Sequence, residues 1–171
     1  MYNQYFIKAI DAYPYSLGEA IEALNYALAY DGENPLIILL QGRVYAEQFK
    51  EYAEAIACYE EAIAIEPNCA QVYPHLAESL IQLEEYEKAA KIIEFGLGIS
   101  GVNRPSLLIL KGYIALRAGI AVRETQKALK AEICKGYSDY AEACIKSMSK
   151  RLGKVLKPKK KKKKHKKKKA K

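Results

Sequence analysis

Residues 51–68 read EYAEAIACYEEAIAIEPN, and the small side chains in this line fall at helical spacing. Ala55 and Ala62 are seven apart, with Ile56, Tyr59 and Ile63 completing the stripe at steps of three and four, so one face is apolar and half of it is small. Small residues let a second helix bring its backbone close, while Tyr52 and Tyr59 supply bulk beside the contact. Pro67 stops the helix, because it lacks an amide proton and drives the preceding residue from helical angles. The stretch therefore reads as the second arm of a helical hairpin.

The same scheme recurs. EYEKAAKIIEFGLGISG, residues 85–101, places Tyr86, Ala89, Ile93 and Gly96 where the first stretch has Tyr52, Ala55, Tyr59 and Ala62, at an offset of 34. Upstream, SLGEAIEALNYALAYDGENP, residues 16–35, supplies Leu17, Ala20, Leu24 and Ala27 at an offset of 35, which places one extra residue in a turn, most simply within Gln48 to Lys50. Each second helix follows another apolar helix, over residues 2–13, 35–48 and 70–83. A fixed period, paired helices and a small residue at each crossing describe one unit stacked several times.

This pattern resembles the tetratricopeptide repeat, a 34-residue helix-turn-helix with an aromatic, a Leu, a small residue and a Tyr in its first helix and Ala, an aromatic, Ala and Pro in its second. Residues 70–103 fit through Tyr73, Leu76, Ala77, Leu80, Tyr86, Ala89, Ile93 and Gly96, and the preceding unit adds Gly42, Tyr45, Ala55, Tyr59, Ala62 and Pro67. The resemblance implies an all-α fold, a right-handed superhelical solenoid of helical hairpins over residues 1–136, divided at about 1–34, 35–69, 70–103 and 105–136. The last hairpin is degenerate: Gly112 and Gly119 keep the small positions of its first helix, but Glu124 stands where Ala is expected and only Ala128 and Ala131 stay in register. Residues 138–156 read as an amphipathic capping helix, which a solenoid needs to cover its last apolar face.

Composition fits such a thin, half-buried architecture: 50% of residues are hydrophobic, and 14 Tyr with no Trp fill space while keeping hydroxyls near water. The four cysteines, Cys58, Cys69, Cys134 and Cys144, form no CxxC pair and have no histidine partners at ligand spacing, so neither metal nor cofactor is expected, and reduced buried thiols fit a cytoplasmic protein. No signal peptide is visible, and the longest apolar run, around Leu36 to Leu40, is too short to span a bilayer. No phosphate-binding glycine loop, HExxH or nucleophile with a plausible base is present, and His75, the one histidine of the repeats, reads as structural. A non-catalytic protein is the expectation.

The resemblance further implies a concave groove lined by first helices, in which ligand contacts come from the second, fifth, ninth, twelfth and thirteenth places of each. Mapped here, these are Tyr2, Tyr5 and Tyr13; Leu36, Leu39, Arg43 and Glu47; Gln71, Glu78 and Gln82; and Ile109, Tyr113 and Arg117. Aromatic, apolar and charged groups together suit a peptide or partner helix. The clamp by which some members hold the C-terminal carboxylate of chaperones is absent, because Lys8 is followed four places later by Ala12 and the third unit offers Glu78 in place of a cation.

The remaining segment is PKKKKKKHKKKKAK, residues 158–171, preceded by Lys157. Its 12 lysines are Lys157, Lys159, Lys160, Lys161, Lys162, Lys163, Lys164, Lys166, Lys167, Lys168, Lys169 and Lys171. Setting them aside leaves 16 basic residues against 20 acids, so residues 1–156 carry a formal −4 although the whole chain carries +8. Such a run repels itself and buries nothing, so disorder is expected. Two readings stay open: an electrostatic hook for RNA, DNA, anionic lipid or an acidic protein surface, or a solubilising end without a dedicated partner. In a eukaryotic or viral source it would also serve nuclear import.

Overall fold

The computed structural model of the protein describes residues 3–118 together with Glu124, Lys127, Ala128, Lys130 and Ala131, and all regular structure among them is helical. The helices are α1 (Gln4–Ala12), α2 (Leu17–Tyr30), α3 (Pro35–Arg43), α4 (Tyr52–Ile65), α5 (Val72–Gln82), α6 (Tyr86–Leu97) and α7 (Arg104–Ala118); α3 runs on into a π-helical segment, Val44–Phe49. Most of the degenerate second helix expected before residue 136, Gly119, the cap at 138–156 and the lysine run at 157–171 lie outside the described residues. Ala128 and Ala131, expected at a crossing, are helical and exposed.

Local chemistry sets the helix starts and stops. The Asn3 side chain accepts from the amides of Tyr5 and Phe6 at 3.0 and 3.3 Å, and the Asn34 side chain accepts from Leu36 at 3.1 Å with Pro35 in the first helical position. At the other end, α4 stops at Ile65, two residues before Pro67. The Tyr73 hydroxyl donates to the Pro67 carbonyl oxygen, tying this turn to the next hairpin.

Consecutive helices pair: α1 packs on α2, α3 on α4 and α5 on α6, while α4 also packs on α5, and α7 rests on both α5 and α6. The crossings lie where the small residues are. Ala55, Ala62 and Ala89 are 0% exposed. A Cβ on Gly42 would stand 2.5 Å from Cε1 of Tyr59, and one on Gly96 would stand 3.0 Å from both Leu107 Cδ1 and Tyr73 Cβ. At these two crossings the neighbouring side chains lie directly on helix backbone. The core follows as successive clusters, around Ala9, Leu24 and Ile37, then Tyr59, Val72 and Leu76, then Tyr73, Ile93 and Leu107.

The extra residue of the second unit is accommodated around the stretch the sequence suggests, Gln48 to Lys50, by a widened helical turn that begins earlier, at Val44. The helices before α4 and α6 both end on a left-handed residue, Lys50 and Glu84, each at φ 61°, at the repeat offset of 34. After Glu84 the chain closes by an amide of Glu85 donating to Leu80, five residues back, at 2.9 Å; after Lys50 the amide of Glu51 reaches Tyr45, six residues back, at 3.0 Å. The wider closure coincides with Val44–Phe49, so the insertion is taken up as a π turn that includes Gln48 and Phe49 and is capped by Lys50.

The first unit is also out of step with the sequence mapping, by one place. Tyr5 stacks on Tyr26 of α2, with ring centroids 5.4 Å apart, as Tyr73 stacks on Phe95 of α6 at 5.6 Å. Tyr5 therefore occupies the aromatic place that faces the second helix, not the fifth place to which the resemblance assigned it. Ala9, 0% exposed, is then the counterpart of Gly42 and Ala77.

Candidate functional site

Two cavities that meet at a shared wall lie along α5, one toward α7 and the other toward the π segment and α4. The larger, about 490 Å³, lies between α5 and the turn leading into α7 and is lined by Gln71, Pro74, His75, Glu78, Asn103 and Ile109, among others. The smaller, about 240 Å³, is lined by Glu47 and Lys50 at the end of the π segment, by Tyr59, and by His75, Glu78 and Gln82. His75 and Glu78 belong to both. They are one turn apart on α5, so the shared wall is a single helical face.

Beside the smaller cavity lies a closed polar cluster. Arg43 Nε donates to Glu47 Oε1 at 2.9 Å, the Tyr13 hydroxyl donates to Glu47 Oε2 at 2.5 Å, and the Arg43 guanidinium lies 5.0 Å from the centre of the Tyr13 ring. Burial works against charge on Glu47, yet the hydrogen bonds from Arg43 and Tyr13 prevail and hold its carboxyl below the usual range. Burial and the hydrogen bond to Glu47 push the Tyr13 phenol up to about 12. Arg43 is likewise held charged by Glu47 against its burial.

The shared wall differs. Glu78 reaches solvent but lies in a concavity crowded by protein, and this desolvation, with the charge of Glu47, raises its carboxyl pKa, opposed only by Lys50. The His75 ring stands 6.2 Å from that of Tyr59, and burial together with the charge of Arg43 lowers its pKa, keeping it neutral near pH 7.

The sequence-assigned residues separate into groups. Tyr13, Arg43 and Glu47 come together; Gln71, Glu78 and Ile109 line the larger cavity; Glu47, Glu78 and Gln82 line the smaller. Tyr113 and Arg117 pair with each other along α7, Nη2 donating to the tyrosine hydroxyl at 2.9 Å. Tyr5, still 36% exposed, packs on Tyr26 of α2, and Leu39, at 5% exposure, lies in the core with Tyr59 and Leu76, so Leu39 does not offer the groove contact assigned to it. Tyr2 and the lysines from Lys157 onward lie outside the described residues. Sequence reasoning missed Asn103, which caps α7 by accepting from the Ser106 amide at 3.2 Å, and read His75 as structural. The Asn two residues before Pro105 was a legible capping signal; the placement of His75 depends on how α5 meets its neighbours.

Residues 46–95, from the π segment into α6, match the family model described as tetratricopeptide repeat. Over this stretch the chain is similar to a tetratricopeptide repeat. No curated protein matches the chain. Tetratricopeptide repeats point to protein partners and to a scaffold that works by interaction. Among the described residues no cluster of His, Cys, Asp or Glu could hold a metal, Cys58 and Cys69 are buried free thiols, and no helix is long and apolar enough to cross a membrane.

Proposed function

We propose that the protein is a non-catalytic interaction scaffold, a right-handed superhelix of four tetratricopeptide-like hairpins closed by a capping helix, that binds a peptide or partner helix in the groove of its first helices. The observation that carries this reading is the pair of adjoining cavities, because Gln71, Glu78, Gln82, Glu47 and Ile109, which line them, were picked out by repeat register alone. Binding follows from shape and unspent polarity: apolar walls at Pro74 and Ile109 remove apolar surface from water, while the side-chain amides of Gln71, Gln82 and Asn103 offer both donors and acceptors to a peptide backbone. The Tyr13–Arg43–Glu47 cluster, already satisfied, serves as a rigid border.

Photo-crosslinking tests the reading. A photoreactive residue at Gln71 or Gln82 should capture the partner, whereas one at exposed Lys91 of α6 should not; capture from Lys91 alone overturns the groove assignment. A second reading is favoured by one observation, the 12 lysines of residues 157–171: a nucleic-acid-associated protein in which the lysine run holds RNA or DNA and the repeats recruit others.

A further inference from the structure

Among the described residues, the other charged groups named around the cavities and along α7 each have a hydrogen-bond partner. Glu47 is taken by Arg43 and Tyr13, Arg117 by Tyr113, and Lys111 by Glu94 at 2.5 Å. Lys50 Nζ donates to the Glu47 backbone carbonyl at 2.8 Å and makes no ion pair with Glu78. Glu78 is left as a carboxylate without a hydrogen bond or ion pair among the described residues, at the wall that both cavities share. A carboxylate crowded by protein is stabilised most by a cation brought to it.

The neighbours fit such a cation and define what accompanies it. His75 stays neutral, so it neither neutralises Glu78 nor repels a visiting ammonium or guanidinium group. Ile109 and Leu110 of α7 form an apolar wall facing α5 across the larger cavity, with Pro74 beside Glu78 on its own helical face, and a volume of about 490 Å³ holds more than one side chain. In an extended peptide, neighbouring side chains point to opposite sides, so one residue can face Glu78 while the next faces that wall. We infer that Glu78 is the counter-ion for a lysine or arginine of the partner, and that the bound segment is extended and alternates cationic with apolar residues. This rests on the groove reading above and gives the partner a chemistry.

The test uses the full chain and fluorescently labelled, end-blocked heptapeptides: alternating Lys and Leu, the same with Glu for Lys, and all-Lys. Anisotropy should show the Lys–Leu peptide binding, the Glu–Leu peptide failing to bind, and the all-Lys peptide binding at least about tenfold more weakly for want of an apolar contact. Glu78→Gln should weaken the Lys–Leu peptide about tenfold, the loss expected for one charge-assisted contact, and remain folded because the exposed Glu78 side chain makes no hydrogen bond or ion pair. Saturation with the peptide should also lower the Glu78 carboxyl titration midpoint, followed by NMR. Ile109→Ser separates the two readings. If it weakens binding while Glu78→Gln does not, the groove stands and the cation assignment falls; if neither changes binding, or the Lys–Leu peptide does not bind at all, both fall. Equal binding of the all-Lys peptide would overturn the alternation.

Discussion

The Tyr59 ring lies on the bare backbone of Gly42, and that single contact makes a sharp test of the crossing between α3 and α4. Replacing a helical glycine by alanine ordinarily gains about 1 kcal/mol in helix propensity. At Gly42 the new methyl would meet a fully buried ring at 2.5 Å, so Gly42→Ala should instead destabilise by roughly 1–3 kcal/mol in urea melts. Acid stability gives a second test at this scale. His75 is neutral in folded and unfolded chains above its ordinary 6.5; as pH falls through 6.5 the unfolded chain takes the proton first, so stability declines until the lower folded value is reached. His75→Gln should therefore lose less stability than the parent between pH 7.5 and 5.5. Glu47 acts only below its ordinary 4.5, and Glu78, being raised, acts with opposite sign above it; both are common to the two chains. Small residues such as Ala55 and Ala89 were legible in the sequence because their size is itself the signal. Leu39 was not, since the apolar run around it gives no sign of which side meets α4 and α5.

Among elements, the helix pairs and their crossings could be read from period and capping, whereas the ends could not. Ala55→Leu and Ala89→Leu, each placing added methylenes at a position with no exposure, should cost roughly 1–3 kcal/mol, and Glu61→Gln on the outer face of α4 should stay within about 0.5 kcal/mol. Neutral melts for both leucine variants would refute the crossings. At the end of α5, Glu84 holds φ 61°, a left-handed geometry that costs a residue with a Cβ about 1–2 kcal/mol. Glu84→Gly should therefore stabilise, by roughly 0.5–1 kcal/mol once glycine's greater unfolded freedom is subtracted, as read by the urea midpoint. Nothing in the composition marks this place, because neither Lys50 nor Glu84 is a residue that favours the left-handed region.

For the whole molecule, the charges divide along the chain: residues 1–156 are net acidic and the last 15 residues hold 12 lysines. Full-length protein should bind RNA or duplex DNA weakly with little sequence preference, and engagement of about six phosphates would give a slope near −5 of log affinity against log salt. Deleting residues 157–171 should abolish that binding in fluorescence anisotropy; retention by the shortened chain would refute the division. The helix pairing was legible because each hairpin repeats the last, but the register of the first unit was legible only in part, since a one-residue slip there sets Tyr5 beside Tyr26 of α2. The π turn at Val44–Phe49 shows how such slips are tolerated. One added residue in a regular helix would swing everything after it by about 100° and lift it by about 1.5 Å. Here one widened turn absorbs the phase error, so that α4 and the helices beyond it keep step with the rest, and the irregularity emerges sideways, at Glu47 and Lys50, on the wall of the smaller cavity. A break in the period of a repeat array can thus mark individuality of the surface while the stack goes on undisturbed.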